Sequence, residues 1–433
     1  MRFRRLLLFS VLMSGASLVL IGCNGSSAVS GSTTGSPTTG SSTTGSAPSS
    51  TVAYVYVSSW PSSSSTAQIV AYAADANGLL TNVPGSPFSQ NVDSMAASGG
   101  YLLGASNSQA DINSYMIGSN GALTLASQFA LTQQTGSQVS ASNGGTCGGA
   151  GGFLFDPTGK TLYTEISNFN CSSNNAIDSF AFDSSKGSLS YLGNANIGFQ
   201  ASAAISFLGN DAYAYSALYD SCMYGGLTPF SRSNTGLLSG NQADQTPTYG
   251  PPAPPGATSS GVKLPSYSAG LTATDTTNHV AIGEYPCYAL NGVVATDLQL
   301  AAYTADASGN LTTTDTYATM PKTTINPQDL QMSPSGSVLA VGGEGGLQVF
   351  HFNGASSITS FGNVLTTDGI SQMFWDNSNH LYAITMTPYG TLGVTSVNPD
   401  KLHVFTVTDT SATEATGSPY TVTTPIALAV QPE

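Results

Sequence analysis

Val52-Ala53-Tyr54-Val55-Tyr56-Val57 near the start and Pro425-Ile426-Ala427-Leu428-Ala429-Val430-Gln431-Pro432 at the end are the stretches that decide the fold. Both are short runs of β-branched, aromatic and small apolar residues, the composition of buried strands. Between them the chain repeats a unit of four strands, named a to d in chain order. The first run reads as a b strand with no a strand before it. The last reads as an a strand with no b strand after it. The two ends therefore complete one shared unit, a device that removes a free sheet edge.

Working inward, each unit carries an aromatic in a short strand, followed six to nine residues later by a turn and an aliphatic. The copies are Tyr72…Gly78-Leu79, Tyr115…Gly121-Leu123, Phe180…Gly187-Leu189, Phe230…Gly236-Leu237 and Tyr303…Gly309-Leu311, with degenerate copies at Phe350…Ile358 and Phe405. A second marker is a strand, a tight polar turn and a second strand. Phe153-Leu154-Phe155-Asp156-Pro157-Thr158-Gly159-Lys160-Thr161-Leu162-Tyr163 shows it most clearly, and it recurs at 330–339 and 373–382. Pro presets φ and Gly accepts positive φ, so Asp/Ser-Pro-x-Gly makes a turn. Repeats of about 43 to 73 residues match four-stranded blades with insertions. The expectation is an all-β, seven-bladed β-propeller whose first blade is closed by the C-terminal strand.

The stretch Asn82-Val83-Pro84-Gly85-Ser86-Pro87-Phe88, its echo Gly417-Ser418-Pro419-Tyr420 and the turn at 156–163 resemble the seven-bladed lactonase-like propellers, the family of 6-phosphogluconolactonase. The resemblance covers about 52–433. It implies the fold, and a lactone hydrolase as one activity to weigh. These motifs build blades, so no catalytic residue carries over from them.

Ahead of the repeats, Met1-Arg2-Phe3-Arg4-Arg5 and the apolar run Leu6 to Leu20 read as an export signal. Leu20-Ile21-Gly22-Cys23 resembles the lipobox of bacterial lipoproteins, which implies acylation of Cys23. Several acyl chains at about 0.8 kcal/mol per buried CH₂ make a stable anchor. Asn24 to Ser50 is Ser, Thr, Gly and Pro and reads as a flexible tether with a reach of about 30 Å. The expected organisation is a signal at 1–22, the lipidated Cys and linker at 23–50 and the propeller at 51–433. The body would lie outside the cytoplasm on the cell membrane or outer membrane.

Charged residues are only 7% of the chain and the formal charge is −14. Nucleic-acid binding needs a basic patch that displaces counterions. Six basic residues remain after Arg5, too few and too scattered to build one. A monomer is expected, held to the membrane by its anchor, with a glycan, peptide or envelope protein as ligand.

The b–c and d–a connections share one end of such a fold, and the long insertions fall there: Thr132 to Gly149, Gly240 to Ser266, Tyr285 to Asp297 and Thr387 to Asp400. Cys147, Cys171, Cys222 and Cys287 map to this end. An even number of cysteines in an exported chain points to disulfides. We expect 147–171 and 222–287 among three connectivities. Four-Cys metal binding is the rival, without CxxC spacing to support it. Glu165, Glu284 and Glu344 fall where b strands end, and Asp93 and Asp329 where a strands begin. Carboxylates there could serve as a general base or hold a divalent cation such as Ca²⁺; the plainer reading is a solvated acidic rim. Trp60, Tyr219, Tyr224, Tyr285 and Tyr288 in these loops offer flat rings for a sugar or peptide, or pack beneath their own loops. His279, His380, His351 and His403 fall away from the channel. The leading expectation is a non-catalytic binding propeller on the cell envelope. The alternative is a lactonase-like hydrolase using the rim carboxylates.

Overall fold

A computed structural model describes residues 50–61, 66–106, 111–131, 150–166, 175–198, 202–218, 226–240, 250–259, 266–323, 326–386 and 399–433. Every named element in them is a strand, and the strands form small antiparallel sheets. Among the described residues no helix is long and apolar enough to cross a membrane. Cys23, Cys147, Cys171, Cys222, Tyr219 and Tyr224 lie outside the described residues.

Seven of the sheets contain a four-strand meander, the last with a fifth short strand, Tyr420–Thr421. The first sheet takes its a strand from the far end of the chain. Thr51–Ser59 pairs with Pro425–Pro432 on one side and with Gln68–Asp75 on the other. Alternation explains the burial of these strands. In Thr51–Ser59, Val55 and Val57 face one neighbouring sheet and Tyr54 and Tyr56 the other.

The apolar core is divided among clusters, each shared between two neighbouring sheets. Tyr56 and Ile69 of the first sheet pack on Met95 and Leu102 of the second. Leu103 and Ile112 meet Leu162 and Phe180; Tyr163 and Ile177 meet Phe207 and Phe230. Tyr215 and Leu227 meet Ile282 and Tyr303, and Leu271 and Leu300 meet Leu339 and Phe350. Val338 and Val349 meet Met373 and Phe405, and Tyr382 and Val404 return to Val55 and Tyr72. Each fully buried large side chain contributes about 1.5–3 kcal/mol.

The sequence markers acquire physical roles here. Tyr56, Tyr163 and Tyr215 occupy equivalent places on b strands. Each donates its hydroxyl to the carbonyl of a c–d turn glycine in the next sheet: Gly121 at 2.9 Å, Gly236 at 2.6 Å and Gly309 at 2.7 Å. Gly309 has φ +78°, and a Cβ there would lie 2.5 Å from the Tyr213 ring. The turn thus needs both the backbone freedom and the missing side chain.

Three of the a–b turns are held by a leading Asp. Asp156 accepts the amides of Lys160 and Thr161, Asp275 those of Thr277 and His279, and Asp376 those of Ser378 and His380. Arg232, at the end of the c strand Leu227–Arg232, clamps two sheets. Its guanidinium bonds the carboxylates of Asp156 and Asp211 and donates to the Tyr163 hydroxyl at 2.7 Å. The Arg232 side chain is only 7% exposed, and Asp156 is buried.

One sheet was not foreseen. Ala257–Ser259, Tyr288–Leu290 and Val293–Val294 form a three-stranded satellite from two insertions at the loop-bearing end. Asn291 and Gly292 have φ 51° and 78°, the two positive values that a tight Asn-Gly hairpin turn requires.

Candidate functional site

The chemistry-bearing side chains lie where the b–c and d–a connections meet the sheets. The a strands carry a register skip at this end: at Pro327/Asp329 in the sixth sheet and Ile370/Gln372 in the seventh. Such bulges re-aim side chains and often border active sites. Asp329 follows one of them. Its carboxylate reaches the next a strand, accepting the Met373 amide at 2.6 Å, and also accepts Gln331 Nε2 at 2.9 Å. Gln372 stands at the same place one sheet on. It makes the same bond, accepting the Leu428 amide at 2.8 Å.

That pair separates structure from chemistry. The bridge between a strands needs an acceptor oxygen, and the neutral amide of Gln372 supplies one. The charge at Asp329 is not required for it. Burial pushes the Asp329 carboxyl up to about 6, against the opposing bonds from Gln331 and Met373. A half-buried acid titrating there is suited to accept a proton near neutral pH. Asp93, beginning the second a strand, accepts the Ser106 hydroxyl at 3.3 Å.

The three glutamates named from the sequence occupy the b-strand ends expected, in the third, fifth and sixth sheets. Glu165 lies on the strand Thr161–Ile166. Glu344 is half-buried and accepts Asn326 Nδ2 at 2.7 Å. Glu284 corrects the picture of a solvated rim, being only 3% exposed. Its carboxylate accepts the Tyr303 hydroxyl at 2.6 Å, and burial, opposed by that bond, raises it to about 7. Tyr267 and Tyr288 pack edge-on nearby with hydroxyls 3.2 Å apart, and Gln299 lies 3.5 Å from Tyr267.

The aromatic expectation is corrected in the same place. Tyr288 is 2% exposed and belongs to the core between the fourth and fifth sheets. Its ring is a wall, because the satellite strand that carries it folds back onto that core. Tyr285 is half-buried and fills the space left by Gly270, where a Cβ would lie 2.2 Å from its ring. Trp60 is half-buried and bonds through its backbone amide to Thr424. Cys287 is buried; the three cysteines expected to pair with it or with one another lie outside the described residues.

Two features were missed. Asp178, on the c strand Asn175–Asp183, is 1% exposed, and neither carboxylate oxygen has a hydrogen-bond partner among the described residues. Burial raises it to about 7. Nothing in Ala176-Ile177-Asp178-Ser179 distinguishes a buried acid from an exposed one, since strand alternation is broken by Ser179, which is also buried. The second is a chain of charges around His403. Asp368 accepts Lys401 Nζ at 2.7 Å and lies 3.1 Å from His403 Nε2, while His403 Nδ1 lies 2.8 Å from Glu414. Among the described residues no three His, Cys, Asp or Glu gather closely enough to hold a metal ion.

No protein-family model and no curated protein matches the sequence. Solved structures do match. A candidate 6-phosphogluconolactonase from Bacteroides uniformis superposes with a TM-score of 0.56 at 13% identity, over 88% of this chain and 100% of that one. The periplasmic gluconolactonase PpgL of Pseudomonas aeruginosa gives 0.56 at 12% identity, over 88% and 99%. The chain has the lactonase-like propeller fold. A functionally unknown protein of Desulfotomaculum acetoxidans shares the same fold, with a TM-score of 0.51 at 13% identity over 88% and 100%. At such identities the lactonase-like likeness is one of backbone path; the site must be argued from this chain's own residues.

Proposed function

We propose that this chain is an exported lactone hydrolase built on a seven-bladed propeller. The seven sheets are its blades, and the pairing of Thr51–Ser59 with Pro425–Pro432 closes the ring. Cys23 carries the lipid anchor, residues 24–50 form the tether, and the loop-bearing end faces away from the membrane. Disulfides 147–171 and 222–287 pin the loops of that end.

The observation that carries the reading is the carboxylate of Asp329 where its structural counterpart Gln372 is neutral, in a fold shared with two lactonase-named structures. Above about pH 6 Asp329 is ionised. It takes a proton from a water as that water's oxygen bonds to the lactone carbonyl carbon. The tetrahedral intermediate collapses by breaking the ring C–O bond. The proton on Asp329 passes to the departing ring oxygen, and the product is the open hydroxy acid. Such acid–base assistance is worth about 10²–10⁴-fold.

The test is a pH-stat assay of the purified protein on a panel of sugar and aliphatic lactones, with and without EDTA. Turnover should rise with pH through about 6, and Asp329→Asn should lower kcat/KM by about 10²-fold or more while keeping the bridge to Met373. Full activity in that variant would remove Asp329 from the chemistry.

A non-catalytic binding propeller is the second reading. It is favoured by the satellite hairpin, whose Val293 and Val294 are 70% and 60% exposed on an edge strand. A glycan, peptide or envelope protein captured there would lose affinity on Val293→Ser, with no lactone turnover in either protein.

A further inference from the structure

We infer that the site takes uncharged lactones and excludes phosphorylated ones; this rests on the lactone-hydrolase reading above. The argument is an inventory of positive charge. Recognition of a phosphate dianion relies on Lys or Arg, often bidentate, or on helix N-termini. Among the described residues there is no helix. Three of the nine basic residues lie in the first five positions, leaving Lys160, Lys186, Arg232, Lys263, Lys322 and Lys401.

All of these except Lys263 are described, and their places are set by the topology. Lys160 lies in the a–b turn and Lys186 in the c–d turn, at the end opposite the loops. Lys186 pairs with Asp183 at 3.1 Å. Arg232 is consumed by Asp156 and Asp211 between the third and fourth sheets. Among the described residues, Lys322 and Lys401 stand at the loop-bearing end; Lys263 belongs to the 240–266 insertion of that end and lies outside the described residues. Lys322 Nζ lies 2.7 Å from Asp297, and Lys401 Nζ lies 2.7 Å from Asp368.

Both described cations at this end are therefore neutralised within the protein. The carboxylates there outnumber them: Asp93, Asp329, Glu344 and Asp400 add to Asp297 and Asp368. An incoming phosphate meets a negative field and finds its counter-charges occupied. To be held it would have to break an existing pair and leave an Asp uncompensated. An uncharged sugar lactone meets no such penalty, and the amides of Asn91 and Gln331, the hydroxyl of Ser106 and the carboxylates of Asp93 and Asp329 are groups that suit its hydroxyls. Discrimination of this kind comes from repulsion of the wrong substrate rather than extra attraction to the right one.

The full chain is assayed side by side on glucono-δ-lactone and on its 6-phosphate, at low and high ionic strength. The expected result is a kcat/KM ratio of about 10²-fold or more in favour of the uncharged lactone at low salt, narrowing as salt screens the field. Asp297→Asn, which frees Lys322, should shift that ratio several-fold toward the phosphorylated lactone. Equal or better turnover of the phosphorylated lactone would overturn the inference and leave the hydrolase standing. A preference unmoved by both salt and Asp297→Asn would overturn its electrostatic basis. No turnover of either lactone would overturn the hydrolase reading itself, and the inference with it.

Discussion

At the turn end, Asp156, Asp275 and Asp376 each accept several bonds and sit beside a cation or a histidine. Against the upward push of burial, bonds from His279 and His380 hold Asp275 and Asp376 below the usual carboxylate range. At and toward the loop-bearing end, burial prevails. Glu284 and Asp178 rise to about 7 and Asp329 to about 6. Bonds thus favour the charged form of Asp275 and Asp376 at the turn end, and burial disfavours that of Glu284, Asp178 and Asp329 toward the other. Asp211, also in an a–b turn, is an exception, raised by burial despite Arg232. A buried carboxylate costs stability unless it is paired. The turn end is therefore where the repeat is locked together, and the loop-bearing end is where charge is kept at a cost. The second condition is the one expected of a functional surface.

The contrast breaks most readily at Arg232. Arg232→Met should cost about 3–5 kcal/mol in urea unfolding, because it strands the buried Asp156 carboxylate. Activity per folded molecule should stay unchanged, whereas Asp329→Asn should do the reverse. If both variants lose stability and activity together, the two ends are not separate in function.

The pH dependence is the next largest effect. Asp178, Glu284 and Asp329 have folded values raised above their unfolded ones, so the stability they permit is full below about pH 4 and is lost as pH rises through 6 to 7. Asp275 and Asp376 have lowered values, and their contribution is lost as pH falls below about 4. The urea midpoint should therefore peak near pH 4–5. Asp178→Asn should flatten the decline toward pH 8, gaining on the order of 2 kcal/mol there. An unchanged decline in that variant would mean Asp178 finds a partner in solution.

Smaller is the effect of Gly309→Ala, about 1–3 kcal/mol from backbone strain and the close approach of the Tyr213 ring. The melting temperature reports it. The smallest belongs to Val293→Thr on the satellite hairpin, within about 0.5 kcal/mol for an exposed position. A larger loss would show that the hairpin supports the fold rather than standing off it.

How much of this was legible in advance varies by level. The turn glycines, the Asp/Ser-Pro-x-Gly turns at 156–159 and 333–336 and the pairing of the chain's two ends are local patterns, and each reappears as the element expected. Placement of Glu165, Glu284 and Glu344 at b-strand ends followed from counting strands. What counting could not give was burial. Glu284 and Tyr288 read as rim residues because they lie in or beside an insertion, yet that insertion folds into a satellite sheet and lays Tyr288 on the core. Ala289-Leu290-Asn291-Gly292-Val293-Val294 carries a hairpin signal within what otherwise reads as a loop insertion. Arg232 gave no signal at all, since its partners Asp156 and Asp211 are distant in sequence.

The sequence by itself determined the repeat, its strand order and the completion of the first sheet by the last strand, because alternation and turn chemistry act over a few residues. Scarcity of positive charge is likewise a property of composition. Only the tertiary structure decided which acids are paired, which are stranded and which cations are already spent. Those outcomes depend on what a neighbouring sheet presents across a gap of a few ångströms, and the electrostatic cost of a charge is set by that neighbour rather than by the chain around it.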